Sequence, residues 1–386
     1  MDKRKIAVFT GNRAEYGLLN PVIGELSSRT SLEIHLIISG SHLLEDFGRT
    51  VAEIDISSVK NVRKIPISIN HTNKKVELLL LFSSIMQHGA HIHSKLKSDL
   101  IILAGDRYET FAMAVTAYYL NVPIIHLFGG DLSQGGHLDD SVRHSITKLA
   151  HLHFTTNESS HNRILNLGEE KWRVFNVGST VIDNILSSKY ATADELVKEF
   201  NIDLTKPIIL FTQHPVTTET EMAYNQVKVS LDALKECGYQ AVITYPCHDP
   251  GYDQILKAIS ECTSVPHFRI VKNLGWKRYL GFMKIASVVV GNSSSGLMET
   301  PFFKIPCVNV GTRQEGRLRA ENVIDTPYQK DVIKDAINTA LNDNDFRRKA
   351  FNCSNPYGNG GASKRIADVL ESIPLNQALL QKKMTF

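Results

Sequence analysis

The stretch that decides the fold is DLIILAGDRYETFAMAVTAYYLNVPIIHLF, residues 99–128. It contains two short apolar runs, DLIILAG and VPIIHLF, which are separated by a segment with helical spacing around Glu109–Leu120. A strand, a helix and a second strand in this order form the βαβ unit of a parallel sheet. The stretch therefore predicts a doubly wound α/β domain.

The same alternation continues on both sides of this stretch. KIAVFT, LEIHLIIS and NVRKIPIS precede it as predicted strands, helices are expected near Tyr16–Arg29 and Val76–Lys97, and HLHFTT and WRVFNVG follow. After LTKP the rhythm restarts with IILFTQH, a helix near Glu221–Cys237, QAVITYP, HFRIV, ASVVVGN and PCVNVG. We therefore predict two Rossmann-like parallel-sheet domains with an interdomain cleft.

The domain boundary is placed in a charged, mainly helical connector near Ser187–Lys206. The prediction is an N-terminal domain at residues 1–187, a C-terminal domain at 188–370 and a C-terminal tail at 371–386. A chain of 386 residues is also too long for one ordinary core.

Composition and charge exclude several classes of protein. The net charge of +3, without a dense Lys/Arg tract, argues against a nucleic-acid partner. The apolar runs are too short for a membrane span, and MDKRKIAVFTGN is not typical of a signal peptide. Five cysteines without a CxxC pair indicate reduced thiols, so no metal site is predicted. We expect a cytoplasmic protein that acts on a small soluble substrate.

The loops that follow the predicted strands combine glycine with charged or hydroxylated residues. Ligands of open α/β sheets bind beyond the carboxyl ends of the strands, so these loops define the candidate site. The first half contributes GNRAE at 11–15, SGSH at 39–42, GDR at 105–107 and residues 129–139. The second half contributes QHP at 213–215, PCHD at 246–249, GNSSSG at 291–296 and GTR at 311–313.

The loops of the second half have the chemistry of a phosphate site. The glycines of GNSSSG permit tight turns, and its N–H groups and hydroxyls face the start of a short helix. A serine helix cap is the alternative explanation. Glu299 can accept both ribose hydroxyls, or it is a first-turn glutamate that the helix dipole favours. GNRAEY lacks the GxGxxG spacing and no GK[ST] is present, so no nicotinamide cofactor and no Walker A loop are predicted.

Cations and histidines at strand ends are weaker signals. Arg13, Arg107 and Arg313 are suited to phosphate oxygens, although a surface arginine is the simpler explanation of Arg13. His214 leaves a strand directly before a proline, yet a lone histidine is more often structural than catalytic. His42 is open to the same two interpretations.

The first half supplies carboxylates. Asp106 ends an apolar strand, a position that is costly for a charge unless the charge is paired or used. Asp131 and Asp139 stand in the neighbouring loop, and clustered carboxylates can provide an acid and a base at one pH. Asp140 is instead a candidate N-cap of the helix that begins SVRH.

Together these motifs resemble the UDP-N-acetylglucosamine 2-epimerase family, and within it the hydrolysing, NeuC-type enzymes of sialic acid synthesis. The matching segments, from residue 8 to about 325, are GNRAEYG, SGSHLLEDFGRT, AGDRYE, HLFGGD, LDDSVRHSITKLAHLHF, TQHPVT, GNSSSGLME and NVGTRQEGRLRAENVID. Two features depart from the family pattern. Phe128 stands where several members carry glutamate, with Asp131 three residues on, and SQGGH lengthens this loop.

The resemblance implies a GT-B architecture that binds UDP-N-acetylglucosamine and UDP, with UDP held mainly by the second half. It also implies a homodimer that needs no cofactor. The positions that match nucleotide contacts are Arg13, Arg107, His214, Ser293, Ser294, Glu299 and Arg313. Asp106 and Asp139 match catalytic carboxylates, and Asp131, His214 and His42 complete the catalytic candidates.

The implied reaction begins with loss of UDP and of the C2 proton, which gives a 2-acetamidoglucal. Water then adds, and N-acetylmannosamine and UDP are released. One alternative is the same hydrolysing reaction on UDP-2,4-diacetamido-bacillosamine, on the way to legionaminic acid. Others are a non-hydrolysing UDP-N-acetylglucosamine 2-epimerase, a GT-B glycosyltransferase and a non-catalytic nucleotide-sugar sensor.

Overall fold

The computed structural model describes residues 3–44, 50–57, 59–67, 74–132, 138–247 and 249–386. Within these residues the chain forms two parallel sheets, one of seven and one of six strands. The first compact unit takes in the described residues up to Ser187 and again from Tyr357, and the second spans Ser188–Pro356. The predicted fold class, two Rossmann-like parallel sheets, is confirmed.

The first unit is built around the longer sheet. Its elements are β1 (Arg4–Thr10), α1 (Arg13–Ser27), β2 (Leu32–Ile38), β3 (Asn61–Lys64), α2 (Lys74–Leu96), β4 (Leu100–Ala104), α3 (Tyr108–Tyr119), β5 (Ile124–Leu127), α4 (Leu138–Leu149), β6 (Leu152–Thr155), α5 (Glu158–Asn166), β7 (Val174–Asn176) and α6 (Thr180–Ser187). The described strands lie in the order β3-β2-β1-β4-β5-β6-β7, and their pairings are parallel.

The second unit repeats this winding. Its elements are α7 (Ala193–Phe200), β8 (Ile208–Thr212), α8 (Ala223–Cys237), β9 (Gln240–Thr244), α9 (Tyr252–Ser260), β10 (Phe268–Val271), α10 (Gly275–Ile285), β11 (Val288–Gly291), α11 (Ser295–Met298), α12 (Thr300–Phe303), β12 (Cys307–Val310), β13 (Val323–Thr326), α13 (Lys330–Asn342) and α14 (Asn344–Asn352). The order of its described strands is β10-β9-β8-β11-β12-β13.

Both sheets reverse their direction of winding at one pair of strands. In the first unit these are β1 and β4, and in the second they are β8 and β11. The strands β4 and β8 are buried along their whole length, because helices cover both faces of a parallel sheet. Ligands of such sheets bind at the carboxyl ends of the strands where the winding reverses, so each unit has one expected binding edge. None of the helices in the described residues has the length and apolarity needed to cross a bilayer.

The chain end does not follow the boundaries expected from the sequence. Helices α15 (Ala362–Ser372) and α16 (Gln377–Leu380) belong to the first unit, although the sequence suggested a second domain to residue 370 and a tail from 371. Arg173, a fully buried residue of the first unit, donates to the carbonyls of Ala378 at 2.7 Å and Leu379 at 2.8 Å. Asp183 accepts from the N–H of Ser363 at 2.6 Å. These long-range bonds leave no periodic signal in the sequence.

Helix α4 begins earlier than the sequence suggested. It starts at Leu138, so Asp139 and Asp140 lie in its first turn, and Asp140 is not its N-cap. Carboxylates in a first turn are favoured by the positive end of the helix dipole. The loop SQGGH, residues 133–137, lies outside the described residues.

Candidate functional site

The carboxyl edge of the first unit gathers acidic residues around one arginine. We call Asp106, Asp131, Asp140 and Arg143 the Arg143 cluster. Asp106 follows β4, Asp131 follows β5, and Asp140 and Arg143 lie on α4. The cluster therefore lies beyond the carboxyl end of β4, one of the two strands between which the winding reverses.

Arg143 is the centre of the cluster. Its side chain is only 3% exposed and forms an ion pair with Asp106, whose side chain is 22% exposed. A second ion pair joins Arg143 Nη1 to Asp140 Oδ1 at 2.5 Å, and Nη1 also donates to the carbonyl of Asp131 at 2.8 Å. One buried cation thus faces two carboxylates, and it stabilises negative charge on Asp106 while part of that carboxylate stays open to solvent.

Asp131 contributes its carbonyl to Arg143 and directs its carboxylate elsewhere. Asp131 Oδ1 accepts hydrogen bonds from the hydroxyls of Thr156 at 2.9 Å and Ser160 at 2.6 Å. Thr156 and Ser160 belong to the turn after β6 and the start of α5. The contacts of Asp131 therefore fasten the loop after β5 to the next strand and helix.

Asp139, the third predicted carboxylate, lies on the same helix as Arg143. It is half-buried in the first turn of α4, four residues before Arg143. Asp106 and Asp131 both contact Arg143, and Asp139 lies one helical turn from it. Phe128, where the family resemblance led us to expect glutamate, is 7% exposed with a φ of +65°, a left-handed conformation that is uncommon for an aromatic residue.

His42 lies at the end of β2, between two threonines. Its Nε2 is 3.0 Å from the hydroxyl of Thr10, and its Nδ1 is 2.9 Å from the hydroxyl of Thr50. Burial lowers the pKa of His42 to about 4, so the ring is neutral near pH 7. The structure therefore places His42 where it orders the end of β1.

Two buried glutamates at the start of α1 and α3 were not singled out from the sequence. Glu15 accepts from the N–H of Gly11 at 2.7 Å and from the hydroxyl of Thr110 at 2.5 Å. Burial, and next the nearby Glu109, raise the pKa of Glu15 to about 7. Glu109 is 1% exposed and lies 3.7 Å from Arg107 Nε. The spacing Asn12–Glu15, a helix cap followed by a glutamate, was the available signal.

The predicted arginines of the first unit lie at the same edge. Arg13 is the first residue of α1, and Arg107 precedes α3 with a side chain that is 44% exposed. Arg13 follows β1 and Arg107 follows β4, the two strands between which the direction of winding reverses. Both residues interact with other groups of the protein. The edge therefore carries arginines beside the Arg143 cluster.

The corresponding edge of the second unit is organised by hydrogen bonds to the backbone. His214 follows β8, Asn292 follows β11 and Arg313 follows β12. Gly291 has a φ of +130°, and a Cβ atom there would lie 2.0 Å from the carbonyl oxygen of Thr212, so only glycine fits. The tight exit of β11 thus brings Asn292 against the exit of β8.

The ring of His214 has a defined tautomer. The N–H of Cys247 donates to His214 Nδ1 at 3.0 Å, so Nδ1 carries no proton. Burial lowers the pKa of His214 to about 3, with Arg313 as the second cause. A neutral imidazole that accepts at Nδ1 holds its proton on Nε2. His214 therefore presents an Nε2–H donor.

Glu299 is a buried carboxyl group with an unsatisfied oxygen. It is 8% exposed, and its Oε2 is buried without a hydrogen-bond partner among the described residues. Burial raises the pKa of Glu299 to about 8. An unpartnered buried carboxyl oxygen is costly, and a ligand with hydroxyl donors would satisfy it.

The serine loop lies between Asn292 and this glutamate. Ser293 and Ser294 precede α11, and the hydroxyl of Ser295 contacts the hydroxyls of Ser293 at 3.1 Å and Tyr279 at 2.5 Å. Arg313 Nη1 donates to the carbonyl of Asn292 at 3.2 Å. The structure thus brings His214, Asn292 and Arg313 together, with the serine loop continuous with them.

The chain is similar to known proteins over most of its length. A family model described as UDP-N-acetylglucosamine 2-epimerase matches residues 24–371. The GDP/UDP-N,N'-diacetylbacillosamine 2-epimerase (hydrolyzing) of Campylobacter jejuni is 36% identical over 84% of this chain and 85% of its own length. The UDP-N,N'-diacetylbacillosamine 2-epimerase (hydrolyzing) of Legionella pneumophila is 33% identical over 98% of both chains.

A solved structure supports the fold. The crystal structure of UDP-GlcNAc 2-epimerase from Neisseria meningitidis bound to UDP-GlcNAc matches with a TM-score of 0.80 at 22% identity. The match covers 95% of this chain and 99% of the other. This likeness confirms the predicted GT-B-like fold.

Proposed function

The chain belongs to the UDP-N-acetylglucosamine 2-epimerase family, and from this premise we propose that it is a hydrolysing nucleotide-sugar 2-epimerase acting on UDP-N,N'-diacetylbacillosamine. The choice of sugar is supported by the two relatives described above, both hydrolysing 2-epimerases of diacetylbacillosamine nucleotides by name. UDP-N-acetylglucosamine, the first substrate expected from the sequence, is the alternative. The proposal thus favours the second of the two sugars considered there.

The proposed reaction has two balanced steps. In the first, a base removes the C2 proton, the bond from C1 to the diphosphate oxygen breaks, and a C1=C2 double bond forms as UDP leaves. In the second, the oxygen of water bonds to C1 and gives up one proton to a neighbouring base, while an acid delivers a proton to C2 on the opposite face. The products are UDP and a free sugar inverted at C2, so no oxidant or reductant is needed.

The ion pair between Asp106 and buried Arg143 is the observation that carries this proposal. An ionised carboxylate can accept a proton, and Asp106 keeps its partial exposure at the edge where sheets of this kind bind ligands. Asp139 is half-buried in the first turn of α4, one helical turn before Arg143, and we propose it as the second proton carrier. We assign the two proton transfers at C2 to Asp106 and Asp139, without ranking which acts first.

The second unit supplies the contacts for the leaving group in this proposal. Negative charge develops on the diphosphate as the C1–O bond breaks, and preorganised donors stabilise it. Arg313 provides a cation, His214 provides its Nε2–H, and the serine loop at 293–294 provides hydroxyls. The unpartnered oxygen of Glu299 supports the assignment of the ribose hydroxyls to it. Arg13 and Arg107, at the edge of the first unit, remain predicted nucleotide contacts.

The remaining catalytic candidates receive supporting roles. Because His42 is neutral and contacts threonine hydroxyls on both sides, we assign it to ordering the end of β1. Because Oδ1 of Asp131 accepts from two hydroxyls, we assign Asp131 to positioning the loop after β5.

A substrate competition assay tests the choice of sugar. Equal amounts of UDP-N,N'-diacetylbacillosamine, its GDP counterpart and UDP-N-acetylglucosamine are supplied together, and the released sugars are identified by NMR. We expect the C2 epimer of diacetylbacillosamine to accumulate first. Preferential release of N-acetylmannosamine would restore the alternative, and release of either sugar without inversion at C2 would contradict the reaction itself.

A further inference from the structure

The exits of three neighbouring strands in the second unit meet at a single side chain, that of Asn292. The residue is 0% exposed and directly follows β11, the central strand of the three. Its backbone N–H donates to the carbonyl of Thr212 at 3.1 Å, which continues the pairing of β11 with β8 by one step. The pairing of the two strands therefore fixes the backbone of Asn292, independently of its side-chain contacts.

The side-chain amide of Asn292 forms hydrogen bonds with both backbone groups of His214, as a neighbouring strand would. Its Oδ1 accepts from the N–H of His214 at 2.6 Å, and its Nδ2 donates to the carbonyl of His214 at 2.9 Å. Both polar groups of the His214 backbone are thus held by one planar amide, at a point where the chain leaves the sheet and turns toward Pro215. An aspartate could not make both bonds when ionised, because it has no donor.

The carbonyl of Asn292 serves the third strand exit. It accepts from Arg313 Nη1 at 3.2 Å and from Gln314 Nε2 at 2.8 Å, both of which follow β12. The guanidinium of Arg313 is thereby directed to the same residue that holds His214. Arg313 and His214 also influence each other electrostatically, since Arg313 is the second cause of the low pKa of His214.

We propose that Asn292 is the positioning residue of the nucleotide site: it fixes the backbone of His214 so that the ring presents Nε2–H, and it aims Arg313. This inference rests on the proposed function, because it concerns the groups assigned to the diphosphate. The link to the tautomer is geometric. Nδ1 of His214 meets the N–H of Cys247 only while the backbone of His214 keeps its position.

Two variants of Asn292 and one control test the proposal. Asn292→Ala removes both bonds to His214, and Asn292→Asp keeps the size of the side chain but replaces the donor with an oxygen. Asn309→Ala is the matched control, because Asn309 is 1% exposed on β12 and its Nδ2 donates to Asp325 on β13 at 2.7 Å. The readouts are UDP affinity by calorimetry, thermal stability, and the ring ¹⁵N spectrum of His214, assigned by its loss in His214→Gln.

We expect both Asn292 variants to bind UDP about tenfold more weakly than the parent, as loss of buried hydrogen-bond partners predicts. The ¹⁵N spectrum should show His214 sampling both tautomers in the variants and only the Nε2–H form in the parent. Asn309→Ala should lose stability, yet keep UDP affinity within about twofold. If Asn292→Ala fails to fold, Asn292→Asp decides.

The inference is overturned if the Asn292 variants keep the parent's tautomer and UDP affinity, or if Asn309→Ala weakens UDP as much as they do. Failure of the proposed function has a different signature. A parent protein that binds no UDP would contradict the nucleotide site, whereas a parent that binds UDP with indifferent Asn292 variants contradicts only the role of Asn292.

Discussion

The two units wind their sheets in the same way and use the resulting edges differently. In the first unit the edge beyond β1 and β4 is built from charges, with buried Arg143 between Asp106 and Asp140. In the second, the edge beyond β8 and β11 is built mainly from hydrogen bonds to the backbone, with Asn292 holding the backbone of His214 and accepting from Arg313. Ion pairs can hold a carboxylate ready for proton transfer, whereas backbone hydrogen bonds that position a cation and a neutral donor can receive an anion and its ribose. The fold supplies the two edges, and the residues after each strand decide their chemistry.

The largest effect is expected when the charge of Asp106 is removed, which tests whether the first edge carries out proton transfer. Asp106→Asn keeps the shape of the side chain and should lower kcat by roughly 10²–10⁴-fold, which is the contribution of one proton-transfer group. UDP affinity should stay within about twofold, since UDP is assigned to the second unit. Asp140→Asn is the control, because it removes a carboxylate that also pairs with Arg143 but has no assigned proton transfer. Equal kcat losses in the two variants would contradict the special role of Asp106.

The next effect concerns stability. Arg143→Met removes the buried cation and leaves Asp106 and Asp140 without it, so the free energy of unfolding should fall by about 3 kcal/mol. Chemical denaturation measures the loss. Arg163→Met is the control from the same region, because Arg163 donates to the carbonyl of Gly130 and not to a carboxylate of the cluster. A loss for Arg143→Met no greater than that of Arg163→Met would mean that charge does not organise this edge.

In the second unit the matching test is the pH dependence of UDP binding. The pKa of Glu299 is raised to about 8 in the free protein, so Glu299 is protonated at pH 6. Ribose hydroxyls donate best to the ionised form, so binding expels a proton, and affinity should rise by up to about tenfold per pH unit until pH 8. Calorimetry between pH 6 and pH 9 measures this rise.

Glu299→Gln is the control for that pH dependence, because it keeps the size of the side chain and cannot titrate. It should bind UDP roughly tenfold more weakly than the parent at pH 8 and lose most of the dependence. An affinity that stays constant with pH in the parent would place the ribose elsewhere.

The smallest expected effect is that of Asp131→Asn. An amide oxygen can still accept from Thr156 and Ser160, so we expect turnover to fall by less than about tenfold and stability by about 1 kcal/mol. Steady-state kinetics and thermal unfolding measure both quantities. A loss of turnover as large as that of Asp106→Asn would indicate that Asp131 is a proton carrier, and the roles assigned to the residues of the first edge would have to change.

Periodicity and strand-end residues predicted most of the fold. Residues 99–128 form β4, α3 and β5, and the resumption after LTKP is β8. Apolar runs of strand length carry this information locally. The return of α15 and α16 to the first unit was not predictable, because it depends on buried Arg173 reaching carbonyls about two hundred residues away. Such a contact has no periodicity.

The candidate site was predicted in its residue types more than in its contacts. The sequence drew attention to Asp106, Asp131 and Asp139 but not to Arg143, although the spacing Asp140–Arg143 is that of an ion pair on one helix face. Asn292 stood inside the quoted loop GNSSSG without a role, because its partner, the backbone of His214, is distant in sequence. Charge types can be read from a sequence, whereas the partner of each charge depends on the fold.

The central claim is that a proton is exchanged at C2 when UDP leaves. The incorporation of deuterium at C2 tests this claim most directly. The protein is supplied with UDP-N,N'-diacetylbacillosamine in heavy water, and the released sugar is examined by proton NMR and mass spectrometry. The account predicts one deuterium at C2 of the inverted sugar, released together with UDP. In Asp106→Asn the same deuterated product should form roughly 10²–10⁴-fold more slowly. A released sugar that keeps its original proton at C2 would contradict the account.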